Sequence, residues 1–97
     1  MKLITVDSRH RGYGNWKYFV RFKKLLVYPH GNMFHEYRKW CWEQWGPSKE
    51  LSEFSLMHSE IYCDNKHWCW DNGGMDKEFR LYFKNDIDAS MFMLQWQ

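Results

Sequence analysis

His58, Cys63, His67 and Cys69 bring two imidazoles and two thiols into one short stretch, which is the donor set of a tetrahedral zinc site. Their spacing, H-x4-C-x3-H-x-C, lacks the paired C-x2-C knuckle from which structural zinc sites are built. Free cysteine is commonly a small core residue. With Cys41 the cysteine count is three, and an odd number points to a reducing compartment, the cytoplasm, rather than a disulfide framework. A thiolate–imidazole pair built from Cys63 with His58 or His67 would need an acid to orient it, and the spacing supplies none. No nucleophile elbow, P-loop or HExxH motif occurs in the chain. Asp86 and Asp88 look like paired carboxylates, but the start of a helix explains them equally. The expectation is a protein without catalysis, bound metal or cofactor.

A second constellation is basic and aromatic. No acid falls between Asp7 and Glu36, where Arg9, Arg11, Lys17, Arg21, Lys23 and Lys24 are interleaved with Tyr13, Trp16, Tyr18, Phe19 and Phe22. Such a stretch attracts a polyanion or an acidic partner. Residues 11–18 (RGYGNWKY) partly match the signature of RNA-recognition modules, whose strand aromatics stack on bases. Asn15 and Trp16 replace the Phe and Val of that signature, and too few residues precede it to hold the strand and helix the module requires. Charge is divided along the chain. Residues 1–50 carry ten Lys and Arg against four acids, and residues 51–97 carry four against eight, so the halves nearly neutralise each other at a net +2.

These side chains are positioned by elements that the patterning makes visible. Lys2 to Val6 alternates as a short strand, and Ser8 to Asn15, with Gly12 and Gly14, reads as a turn. Asn15 to Lys23 is the clearest strand, with Trp16, Tyr18, Val20 and Phe22 on one face and Lys17, Phe19 and Arg21 on the other. After a loop at Tyr28 to Gly31, Asn32 caps a helix over 33–45 that Gly46 and Pro47 close. Met33, Phe34, Tyr37, Trp40, Cys41 and Trp45 fall on its inner arc. Trp42 lies opposite, one turn from Arg38, where a cation–π contact can form. Residues 48–63 are ambiguous, read as a helical turn near 49–53 followed by irregular or extended chain. Lys66 to Asp71 and Lys77 to Lys84 form a hairpin about Asn72-Gly73-Gly74, with Phe79, Leu81 and Phe83 inward. A short helix over 86–90 and a terminal strand with Phe92, Leu94 and Trp96 complete the chain.

Without the first strand, the order is β-α-β-β-α-β, so the expected fold is a single α+β domain, 1–97, with a ferredoxin-like split βαβ sheet, one long and one short helix, and an extra N-terminal strand. An antiparallel sheet carrying only the long helix is the rival. In the ferredoxin-like arrangement the face with Lys17, Phe19 and Arg21 is open. Phe19 is then the ring, and Lys17, Arg21 and Arg11 the charges, that meet an anionic partner.

The 97 residues hold seven Trp, six Tyr and seven Phe, more rings than one core of this size absorbs, so some belong to the surface, where they suit a binding face. No apolar run is long enough for a transmembrane helix or a secretory signal, so no membrane association is expected. The Trp-rich "KWCWEQWGPS" helix and the "MFMLQW" ending resemble small proteins of tailed bacteriophages. That resemblance implies a viral accessory protein in the host cytoplasm, acting on a host or viral protein, and it transfers no catalytic residue. The expected function is therefore non-catalytic protein binding, with Trp42 and Arg38 as the anchoring pair and self-association as a further use of such a surface. The alternative is nucleic-acid binding through Arg11 to Lys24.

Overall fold

In order along the chain, a computed structural model places β1 (Leu3–Thr5), β2 (Tyr18–Lys23), α1 (His30–Trp45), α2 (Glu53–Met57), α3 (Ser59–Tyr62), β3 (Trp68–Asp71), β4 (Glu78–Phe83) and α4 (Asp86–Gln95). It describes residues 2–23, 30–51, 53–71 and 78–96. The strands form one antiparallel sheet in the order β1-β2-β4-β3. Because β2 and β3 both oppose β4, they run parallel to each other with β4 between them, and α1 lies in the connection that joins them.

The register sorts the sheet into two faces. Leu3, Val20, Leu81 and Trp70 form one row and Thr5, Tyr18, Phe83 and Trp68 another, with Phe22 opposite Phe79. On this face lie α1, through Phe34, Tyr37, Trp40, Cys41 and Trp45, and α4, through Ala89, Phe92, Met93 and the adjoining Trp96. Ile4, Phe19, Tyr82 and Cys69 form the row on the other face. Val6, Trp16, Leu51, Leu56 and Cys63 cover that row from the N-terminal turn and the segment after α1. The two covering segments are tied together where Asn15 Nδ2 donates to the Met57 carbonyl at 2.8 Å. Each face of the sheet therefore has its own apolar core.

Local chemistry sets the boundaries. Gly46 takes φ +86° and its N–H bonds the Trp42 carbonyl at 2.8 Å, which terminates α1. Gly12, at φ +85°, has Trp16 Cδ1 3.2 Å from where a Cβ would stand, so its hydrogen is needed for both conformation and fit. Asn85 caps α4 by accepting the Asp88 N–H at 2.9 Å.

Four expectations need correction. Residues 92–96 do not form a strand: α4 runs from Asp86 to Gln95, so the expected β-α-β-β-α-β order stops at its fifth element and the short helix is ten residues long. Ala89, Phe92, Met93 and Trp96 have the i, i+3, i+4, i+7 spacing of a buried helix stripe, and beyond the Asn85 cap good helix formers sustain it. The sheet edge beside β2 belongs instead to β1. Second, residues 53–57 and 59–62 are helical rather than extended. Third, α1 begins at His30 and includes Gly31 and Asn32, so it starts before the expected cap. Fourth, the alternation of β2 does not reach back to residue 16. Trp16 N–H bonds the Gly12 carbonyl as part of the turn, which puts Trp16 in the same core as Phe19. The hairpin turn at Asn72-Gly73-Gly74 and the loop residues Tyr28 and Pro29 lie outside the described residues.

Candidate functional site

The basic strand is not an open platform. Phe19 is 0% exposed, because the turn and the α2–α3 segment roof the face on which its ring lies. Arg80 sits over the ring with its guanidinium 4.5 Å from the centroid, and Tyr82 packs on it at 5.6 Å. Arg11 reaches under the same roof, where Nε donates to Asp71 Oδ2 at 2.9 Å and both side chains are largely withdrawn from water. Lys17 turns to the other face and pairs with Asp86 at 3.1 Å, at the start of α4. Tyr18 Oη donates to the same carboxylate. The Tyr18 and Lys17 hydrogen bonds hold the Asp86 carboxyl below its ordinary range, and Asp86 in turn raises the Lys17 ammonium. Arg21 is half-exposed and stands 3.8 Å from Glu78, whose carboxylate is engaged more closely by Arg80 at 2.9 Å. Lys17, Phe19, Arg21 and Arg11 thus do not converge on one surface.

Trp42 lies where the helical phase places it, 53% exposed on the outward side of α1. Arg38 does not stack on it. The guanidinium instead covers Trp70 at 4.1 Å and Phe34 at 4.9 Å, along the β3 side of the helix. Burial lowers its pKa against the opposing field of Glu50. The expected pair is therefore a lone exposed indole beside a cation that closes the edge of the core.

The four candidate metal ligands are divided by the sheet. Cys63 and Cys69 belong to the core on the Phe19 side. Cys63 Sγ lies 3.7 Å from Ser48 Oγ and donates to the Asn65 carbonyl. His67 turns toward the helix side, with Nδ1 2.7 Å from Asp88 Oδ2 and its ring parallel to Trp45. His58 is exposed on the turn between α2 and α3. Among the described residues no group of three or more His, Cys, Asp or Glu is placed to hold a metal ion. Burial pushes the Cys41 and Cys69 thiols up, so both stay protonated in the folded chain.

Sequence reasoning did not anticipate two features. The first is the His67–Asp88–Asn85 chain, in which the buried Asp88 carboxylate takes the imidazole at 2.7 Å and the Asn85 amide at 2.9 Å. It fixes the imidazole and bolts the start of α4 to the start of β3. Asn65 has a similar duty next to it. Its Nδ2 donates to the Trp45 and Pro47 carbonyls at 3.0 and 3.1 Å, while its Oδ1 accepts the His67 and Trp68 N–H groups. The second feature is the outer face of α4, where Ile87, Met91 and Leu94 are exposed by 73, 40 and 71%. Their i, i+4, i+7 spacing was the available signal, hidden by reading the segment as a strand. Tyr13, Met57, Ile61 and Tyr62 are further exposed apolar groups.

What the geometry of the described residues offers is exposed apolar surface on α1, α3 and α4. No helix among the described residues is long and apolar enough to cross a membrane. Comparison with known protein families, with characterised proteins and with solved structures yields no match to this chain.

Proposed function

We propose that this chain is a non-catalytic protein-binding domain that contacts a host or viral protein in the cytoplasm, as the phage-like composition implies, with Trp42 as its anchor. The observation that carries the reading is the 53% exposure of that indole in the last turn of α1, whose inward positions are filled by Phe34, Tyr37, Trp40, Cys41 and Trp45. The fold has no use for a sixth large apolar group there. Tryptophan combines a large desolvation gain with few rotamers to freeze, which is why it dominates the energetics of interfaces. Commitment of Arg11 to Asp71 and of Lys17 to Asp86 argues against the nucleic-acid reading, since paired cations release few counterions from a phosphate backbone.

The test is affinity capture from the native host with the wild-type chain and Trp42→Ala side by side. Stability should change by less than about 1 kcal/mol, as for other exposed positions, while a captured protein is lost from the variant and retained by the wild type in high salt. Capture that is indifferent to Trp42, or that disappears with salt and leaves nucleic acid in the eluate, would overturn this reading.

A further inference from the structure

We propose that His67 is a nucleophilic imidazole that accepts a phosphoryl group on Nε2 from a small high-energy donor, an acyl phosphate or a phosphoramidate. The role goes beyond protein binding and draws on none of the residues assigned to that binding. Its basis is the Asp88 carboxylate, which is 5% exposed and takes His67 Nδ1 at 2.7 Å and the Asn85 amide at 2.9 Å. A carboxylate only accepts hydrogen bonds, so the imidazole proton is held on Nδ1 and the lone pair is left on Nε2. The Trp45 indole flanks the ring, parallel to it at 6.2 Å between centroids.

The second ring nitrogen is accessible. The His67 side chain is 47% exposed although the carboxylate that orients it is buried, and Nε2 bonds to none of the described residues. The ring lines a shallow cleft of about 350 Å³ together with Trp45, Asp64 and Lys66. A neighbouring hollow of about 190 Å³ shares Pro47, Asp64 and Asn65 with that cleft and adds Lys49. Two ammonium groups against one exposed carboxylate leave this surface positive. That balance favours a group that stays anionic after transfer, as phosphoryl does and acyl does not. Joining α4 to β3 needs only the Nδ1 bond, so the open Nε2 beside the lysines is what a structural role leaves unexplained.

With phosphoramidate as the donor, the Nε2 lone pair attacks phosphorus and the P–N bond breaks. Its electron pair leaves on the already protonated nitrogen, which departs as ammonia. The new Nε2–P bond makes the ring an imidazolium whose Nδ1–H still donates to Asp88, so the positive charge that develops meets a carboxylate already in place. No proton has to move within the chain. Asp88 is thus a positioning residue, which holds the tautomer and offsets the charge without touching the donor.

The full chain incubated with potassium phosphoramidate should gain a phosphoryl group at His67, located by fragment mass spectrometry. Labelling there should be about tenfold faster than at the exposed His35 and His58, which serve as references within the same molecule. Urea sufficient to unfold the chain should bring these rates together. Asp88→Asn should do the same in the folded chain, because an amide that donates to Nδ1 shifts the ring proton to Nε2; circular dichroism establishes that the variant is folded. Equal labelling of the three histidines in the native wild type overturns the proposal, as does an advantage of His67 that persists in urea or in folded Asp88→Asn. Where Asp88→Asn does not fold, the comparison of native with urea-unfolded wild type decides alone. Trp42→Ala should be labelled like the wild type, so failure of the capture experiment leaves this result untouched.

Discussion

Phe19 separates a sheet with an open face from one that is covered on both sides, and Phe19→Ala measures the difference. Its ring is fully buried, with Tyr82 at 5.6 Å, the His10 imidazole edge-on at 5.0 Å and the Arg80 guanidinium over it at 4.5 Å. Truncating a core Phe to Ala costs about 3–5 kcal/mol through lost transfer energy and the cavity left behind. Here the roof consists of a turn and two short helices, which settle into a void more readily than a sheet does, so the cavity part lies at the low end, about 3 kcal/mol in all. Losing the ring under a largely desolvated guanidinium adds about 1 kcal/mol. The total of about 4 kcal/mol corresponds, at about 4–8 °C per kcal/mol for a domain of this size, to a fall in Tm of roughly 15–30 °C. Urea unfolding followed by tryptophan fluorescence gives the free energy, with thermal circular dichroism as the second probe. A loss below about 1 kcal/mol is what an exposed residue costs. That result would refute the covered face and return Phe19 to the role of a ligand-stacking ring.

Two further outcomes test other parts of the framework. Arg11→Ala leaves the buried Asp71 carboxylate without the guanidinium 2.9 Å away and should cost about 3 kcal/mol, while adding Asp71→Asn should recover part of that loss; urea midpoints of the two variants decide it. Burial raises the Cys41 and Cys69 thiols and the Tyr82 phenol, so the folded chain keeps protons that the unfolded chain releases. Stability should therefore be fully present below the ordinary thiol pKa of 9.0 and decline as pH rises above it, which a flat urea midpoint across that range would contradict.

Much of the framework was legible because it rests on strict local periodicity. The alternation of β4 put Phe79, Leu81 and Phe83 on the helix side, and the 100° spacing of α1 put Trp42 outside. Where two periods fit the same residues, the short-range pattern failed. Phe92, Leu94 and Trp96 alternate, but Ala89, Phe92, Met93 and Trp96 fit a helix equally well, and the Asn85 cap with its Asp88 partner decides between them. The fate of the basic stretch depended on long-range facts that no local pattern contains. Asp71 is sixty residues from Arg11 and Asp86 sixty-nine from Lys17, so neither neutralisation can be read along the strand. The separation of Cys63 and Cys69 from His67 has the same origin, since it depends on which side of a sheet each residue reaches.

Covering the sheet on both sides also determines where a partner can act. In a sheet with one open face, the strand aromatics are the natural contact. Here they are spent on two cores, and the rows Ile4–Phe19–Tyr82–Cys69 and Leu3–Val20–Leu81–Trp70 are both enclosed. Among the described residues the large apolar groups left exposed lie on the N-terminal turn and on the outer sides of the covering elements: Tyr13 in the turn, Trp42 on α1, Met57 on α2, Ile61 and Tyr62 on α3, and Ile87, Met91 and Leu94 on α4. Leaving these groups in contact with water costs solubility. The positions differ in what they suit. Trp42 is a single large ring one turn from a cation that is already stacked elsewhere, the form that the proposed contact with another protein requires. The α4 stripe is a ridge of three narrow side chains, Ile87, Met91 and Leu94, with no large ring among them. The two surfaces lie on different helices, so the contact proposed for Trp42 would leave the α4 stripe uncovered.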